Sequence, residues 1–216
     1  MRLPNLAVII VPAVALGAIA LAVDGRVDAR TAAGAIALAI VPAPFLGPEI
    51  VGRMRARGDQ AGAFVLGTIL LSQLIVGSRG AVAAGGLFTA TEGFAIAAMV
   101  ANGLPTVRDA LLVPLRLIGW IAPVVVVGAA AASGPAIDAQ TVVIAAALFL
   151  AGGGAAAIVA LRLGRDAPAA VGGAGLRDPA LGVALAAVTA GLDSTGVPLV
   201  YGVFCLGLAA LSLRAR

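Results

Sequence analysis

Ionisable side chains that fall inside otherwise apolar stretches include Glu49, Glu92, Arg177 and Asp178. A charged group at bilayer depth costs about 2.5–3.5 kcal/mol on insertion scales, so each needs a partner or a task. A desolvated carboxylate can ligate a cation or carry a proton, because burial raises its pKa. A guanidinium can face an anionic solute. Each residue also has a structural reading. Glu49 can be a first-turn acid that complements a helix dipole, with Arg53 one turn away. Arg177 and Asp178 can neutralise one another together with Glu49. Glu92, in "FTATEGFAIAAM", lines a solute path or pairs with Arg116. Thr68, Ser72 and Gln73 can hydrogen-bond between helices as readily as hold a ligand.

The elements that carry these residues look broken. In "TAAGAIALAIVPAPFLGPEIVGRM", Pro42, Pro44 and Pro48 lack a backbone N–H, and Gly47 loosens the chain beside Glu49. In "AAVGGAGLRDPALGVALAAV", Gly172, Gly173, Gly175 and Pro179 do the same beside Arg177 and Asp178. Irregular backbone at membrane depth is tolerated only where protein or a water-filled cavity satisfies it. A half-helix starting after Pro48 or Pro179 aims free N–H groups and a positive dipole end at the break. Two such breaks in corresponding places point to a transporter site at the midplane.

Composition sets the wider frame. The chain has 216 residues, is 62% hydrophobic and 11% charged, and has a mean hydropathy of +1.12. Soluble domains carry about 25% charged residues, so this sequence reads as an all-α integral membrane protein. One cysteine and no histidine remove a disulfide framework, a Cys/His metal site and the usual nucleophile–base pairs. No enzyme, cofactor or nucleic-acid partner is expected. "GGGAA" at 152–156 lacks a following lysine and reads as helix packing.

Loops divide the chain into about eight spans, near 4–23, 31–53, 60–77, 81–101, 110–132, 139–163, 168–191 and 194–213. With the N-terminus inside, cytoplasmic ends carry Arg2, Arg53, Arg55, Arg57, Arg108, Arg162, Arg165, Arg214 and Arg216. Outer ends carry only Arg26, Arg30 and Arg79. That bias predicts a multi-pass cell (inner) membrane protein with both termini cytoplasmic. The broken spans run in opposite directions. Residues 4–77 and 139–213 therefore read as inverted three-helix units with crossed broken helices. Residues 81–132 form a two-helix panel, and the whole is one transmembrane domain, 1–216. "VDART" and "IDAQT" open spans that are not equivalent in this scheme, so their echo reads as chance. Asp193, Ser194 and Thr195 read as a loop and helix N-cap.

The segment "GAIALAIVPAPFLGPEIVGRMRARGDQAGAFVLGT" resembles helices four and five of the bile acid:sodium symporter family. Pro44, Gly47, Pro48 and Glu49 stand at its "PGGxxSN" break, Gly58-Asp59 at its "GD" turn, and Thr68 at its ion-binding threonine. "GGAGLRDPALGVALAAV" with "VPLVYGVFCLGLAAL" resembles helices nine and ten. Gly173 to Asp178 stand there at "ETGxQN" or "ETGxRN". The resemblance implies a family-style core with the first helix pair missing. The family's sodium-ligating glutamate is Gly173 here, its glutamine Arg177 and its asparagine Asp178. The first motif's serine and asparagine fall at Gly47/Pro48 and Glu49. The implied Na+ sites are thereby altered, replaced by H+ coupling, or absent.

The resulting expectation is a secondary transporter of a small organic solute, favouring an anion, coupled to Na+ or H+ or uncoupled. Glu49, Arg177 and Asp178 form its substrate or ion site. Gly47, Pro48, Gly175 and Pro179 shape the breaks, and Thr68 and Gln73 lie further out. The other reading is a non-transporting scaffold or assembly subunit that kept the fold. So thin a panel suggests a homodimer in the lipid bilayer, the partner supplying the missing wall.

Overall fold

The computed structural model describes residues 3–44, 51, 57–77, 121 and 124–214, and among them every regular element is helical. Helix α1 spans Leu3–Val23 and runs unbroken through Pro12. At 1.5 Å per residue its 21 residues reach about 32 Å, enough to cross a hydrocarbon core. Helix α2 spans Ala29–Ile40, α3 Gly58–Gly77 and α4 Ala139–Arg162. A short α5, Ala167–Ala170, leads into a widened turn over Val171–Gly175. Helix α6 spans Pro179–Ala190, and α7 spans Gly196–Arg214. Residues 124–132 are also helical.

Aspartates start several of these helices. Asp28 Oδ1 accepts from the N–H groups of Arg30 and Thr31, both at 3.0 Å. Asp138 Oδ1 accepts from the Thr141 N–H and hydroxyl, both at 2.7 Å. "VDART" and "IDAQT" thus share one local geometry. Each places an aspartate N-cap three residues ahead of a threonine, although α2 and α4 belong to different kinds of span. Thr31 and Thr141 hold both caps below the ordinary carboxylate range.

Loops at one end of the bundle meet. Arg30 pairs with Asp193 at 3.4 Å, and Gly196 lies against the Ala136 carbonyl. Loops at the other end meet where the Arg57 N–H donates to Asp166 Oδ2 at 3.0 Å. Segments 24–30, 134–138 and 191–195 thus share one end, opposite 57 and 163–166, as alternating spans require.

Among the described residues four segments are long and apolar enough to cross a membrane: Leu6–Val23, Ala139–Arg162, Ala167–Ala190 and Leu192–Leu211. Val14, Leu21, Leu150 and Leu206 on their outer faces are exposed, as a lipid-facing surface requires. The fold is an all-helical membrane protein. Between the helices lies a core of Leu16, Leu38, Val41, Ile144, Leu148, Val197 and Tyr201. Glu92 and Arg116, with residues 81–101 and 110–120, lie outside the described residues.

The turn before α7 differs from expectation. Residues Leu192–Thr195 form a tight helical turn that continues into α7. Ser194 Oγ donates to the carbonyls of Ala186 (2.9 Å) and Gly191 (2.6 Å), and Thr195 Oγ1 donates to Leu192 (2.7 Å). These hydroxyls close the end of α6; neither is an N-cap. The chain runs on helically from 192, so α7 needs no acceptor at its start.

Candidate functional site

Helix α2 ends, and the helix before α6 widens, inside the two regions expected to break, and these two places meet; the expected continuation through Gly47 and Pro48 lies outside the described residues. Helix α2 stops at Ile40 because Pro42 pushes Val41 out of helical geometry, to φ −64° and ψ 151°. The chain continues without helix through residue 44. In the second break the helix widens, with the Leu176 N–H donating to the Val171 carbonyl at 2.9 Å. Leu176 and Asp178 then take extended geometry. Pro179 does not break a helix. It stands at the first position of α6, where its missing N–H has no partner to lose.

The backbone groups freed at the crossing find protein partners. The Asp178 N–H donates to the Pro42 carbonyl at 2.9 Å, joining one break to the other. The next peptide, the Ala43 N–H, donates to Thr68 Oγ1 of α3 at 3.0 Å. Thr68 Oγ1 in turn donates to Val65 O at 2.8 Å. On the opposite side the Arg177 N–H donates to the Tyr201 hydroxyl of α7 at 3.0 Å. Asp178 caps α6, its Oδ1 accepting from Ala180 and Leu181 at 2.9 and 3.1 Å. Main-chain N–H groups at both breaks thus find acceptors in α3, α7 and the opposite break.

The Arg177 side chain is not closed in this way. The residue is 2% exposed, and its Nε and Nη1 have no hydrogen-bond partner among the described residues. No ion pair joins it to its neighbour Asp178 there. Leaving a buried donor unsatisfied costs about 1–3 kcal/mol, and more for a charged group. Tyr201, fully buried and edge-on to Phe149 at 5.7 Å, reaches this residue through the Arg177 main-chain N–H.

The residues singled out in the sequence divide into three groups. Thr68, Arg177, Asp178 and Pro179 come together at the crossing. Gly175 does not open toward it. A Cβ there would lie 2.8 Å from both Ala156 Cβ and Gly152 O, so this glycine lets the turn pack on α4. That also explains "GGGAA": it is the surface on which the widened turn rests. Gly47, Pro48 and Glu49 lie outside the described residues, and so does the Gln73 side chain on α3.

Gly173 has a similar constraint. A Cβ there would lie 2.5 Å from Ala61 O and 2.8 Å from Ala61 Cα. The backbone of α3 therefore occupies the space a side chain would need. Tyr201 is the site residue that sequence reading missed. Its only signal was a lone phenol hydroxyl in the middle of an apolar span. Comparison with protein-family models, curated proteins and solved structures finds no match to this chain.

Proposed function

We propose that this protein is a secondary transporter of a small organic anion, working by alternating access at the crossing of its two broken helices. One observation carries the reading: a buried guanidinium, Arg177, with Nε and Nη1 unpartnered, placed where two helix breaks exchange a hydrogen bond. An unpaired buried charge is strongly unfavourable unless a counter-charge visits it. The two broken spans, the shared loop ends and the apolar outer faces support the wider scheme. In it, two inverted three-helix units, 4–77 and 139–213, flank panel helices within 81–132, giving about eight spans and cytoplasmic termini. The resemblance to the bile acid:sodium symporter family favours the same plan. Coupling to Na+ through that family's second-motif glutamate is disfavoured, because Gly173 abuts the α3 backbone. Glu49 and Asp178 remain the carboxylates through which Na+ or H+ would be coupled.

The scaffold reading draws on a different observation. Thr68, Tyr201 and the Asp178 carboxylate all serve backbone groups of the breaks, as a purely structural crossing would need.

A melting-temperature screen of purified protein against small organic anions separates the two. A ligand of the folded form at 100 times its Kd stabilises by about 2.7 kcal/mol. The transporter reading expects at least one anion to raise the melting temperature of wild type but not of Arg177→Gln, and to enter proteoliposomes. A flat response to carboxylates, sulfonates and phosphates alike overturns it in favour of the scaffold.

A further inference from the structure

We infer that the start of α3 and the loop between α4 and α5 form a binding site for the headgroup of an anionic phospholipid that also carries a hydroxyl donor, the chemistry of phosphatidylglycerol. The site is remote from the crossing and does not depend on the transporter reading. The Arg57 N–H donates to Asp166 Oδ2 at 3.0 Å, and Ala61 packs with Ala169, so the first turn of α3 lies on this loop. Two side chains at the junction are left unsatisfied. Gln60, next to Ala61, has a buried Oε1 without a donor among the described residues. Arg165, next to Asp166, has a buried Nε without an acceptor there. One is an acceptor and the other a donor, yet they do not satisfy one another. Both residues are otherwise only part-buried, so neither is sealed in the core.

A headgroup supplies both missing partners. A phosphodiester oxygen accepts from Arg165 Nε, and a hydroxyl on the same headgroup donates to Gln60 Oε1. Charge favours an anion after every acid is counted. Residues 49–60 and 162–166 hold five arginines against Glu49, Asp59 and Asp166, a formal +2 (5 − 3). Asp166 keeps its charge in that count although its oxygens accept from the Arg57 and Ala169 N–H groups. Position selects a lipid over a free phosphate. Residues 163–166 join two membrane-length segments, Ala139–Arg162 and Ala167–Ala190, so the loop lies at headgroup depth. Ile158, Leu161 and Leu163 beside it are 58%, 69% and 40% exposed, an apolar track for an acyl chain that leads to the arginines. Arg162 in the last turn of α4 also complements the negative end of that helix, a role that leaves Gln60 Oε1 and Arg165 Nε unanswered. Basic pockets between spans at a membrane face hold anionic headgroups in just this way.

The test is a lipid-induced thermal shift on the full chain in non-ionic detergent. The probes are phosphatidylglycerol, phosphatidylmethanol (the same charge without a hydroxyl), phosphatidylcholine and, as a free phosphate, glycerol 3-phosphate. Wild type is expected to be stabilised by phosphatidylglycerol in preference to phosphatidylmethanol, and not by phosphatidylcholine. Glycerol 3-phosphate is expected to give no shift that depends on Arg165. Arg165→Gln is expected to weaken the phosphatidylglycerol response about 10- to 100-fold. Arg30→Gln, which removes the same charge at the opposite end of the bundle, is expected to leave it unchanged. Gln60→Leu is expected to erase the preference between the two anionic lipids while both still bind, a readout that a merely structural glutamine would not move. Should either variant at the site fail to fold, the wild-type order of lipids still decides. Equal stabilisation by phosphatidylcholine, or by the two anionic lipids, overturns the inference. So does a glycerol 3-phosphate shift lost in Arg165→Gln, which would mark a site for soluble phosphate. Equal losses in Arg165→Gln and Arg30→Gln overturn it as well, because they would reduce the effect to diffuse charge. None of these outcomes alters the anion response expected of Arg177, so the transporter reading stands or falls separately.

Discussion

Replacing Gly173 by alanine should loosen the junction between α3 and the widened turn before α6. A Cβ at this position would stand 2.5 Å from Ala61 O, 2.8 Å from Ala61 Cα and 3.0 Å from Ala61 C. Ordinary contact begins near 3.4 Å, so the α3 backbone must retreat by about 0.9 Å (3.4 − 2.5). All three atoms are main chain, and no rotamer change relieves the clash. Overpacking of this kind costs about 1–3 kcal/mol. The displacement also reaches Thr68, seven residues along the same helix, whose hydroxyl holds the Ala43 N–H. The control is Gly154→Ala on α4, where an added Cβ meets nothing within 4 Å. There the better helix propensity of alanine, up to about 1 kcal/mol, should leave the protein as stable or slightly more so. Both are read by thermal unfolding in one detergent. Equal stability of Gly173→Ala and wild type would refute the close approach of α3 and the turn, and would reopen position 173 to a side chain.

Three further outcomes follow from the same geometry. Thr68→Val keeps the side-chain shape but leaves the buried Ala43 N–H without its acceptor, for a loss of about 1–3 kcal/mol; Thr68→Ser, which keeps the hydroxyl, should lose less than Val in the same unfolding assay. The Asp28 and Asp138 carboxyls are held below the ordinary range by Thr31 and Thr141 respectively, so their contribution is complete above the unfolded-state value of about 3.9 and fades as pH falls through the lower folded values. Melting temperature should therefore decline below about pH 4, and Asp28→Asn with Asp138→Asn, which cap without titrating, should flatten that acid limb. The Arg30–Asp193 pair is 63% and 62% exposed, so Arg30→Gln should change stability by no more than about 1 kcal/mol, and chemical unfolding would expose a larger effect.

The parts of the fold legible in the sequence are those set by hydropathy and by single residues. Apolar length places α1 and α4 within a residue or so of 4–23 and 139–163, because a helix in lipid must hide its backbone over the whole hydrocarbon depth. Pro42 ends α2 for an equally local reason. Pairings between distant residues leave no such mark. The Asp178 N–H meets the Pro42 carbonyl through the main chain of both, and no side-chain pattern encodes that contact. The N-cap expected at Ser194 and Thr195 failed because those hydroxyls can also donate backwards to carbonyls. Which they do depends on whether the chain arrives extended or already helical.

Tyr201 shows why a likeness between the two proposed units would be hard to see in the sequence. In each half, a hydroxyl from the helix after the break accepts a backbone N–H of that break: Thr68 from Ala43 and Tyr201 from Arg177. The two play one part in the inverted plan proposed above, yet a threonine and a tyrosine align as a mismatch. The difference between them is chemical as well. The threonine is short and sits within reach of Val65 O on its own helix, so its proton is consumed locally. The phenol is held at the end of a rigid ring, too far from its own helix backbone for that bond. Its oxygen holds the break through the Arg177 N–H. One break is thus held by a hydroxyl whose proton is spent on its own helix, the other by a phenol that reaches it from the next long helix.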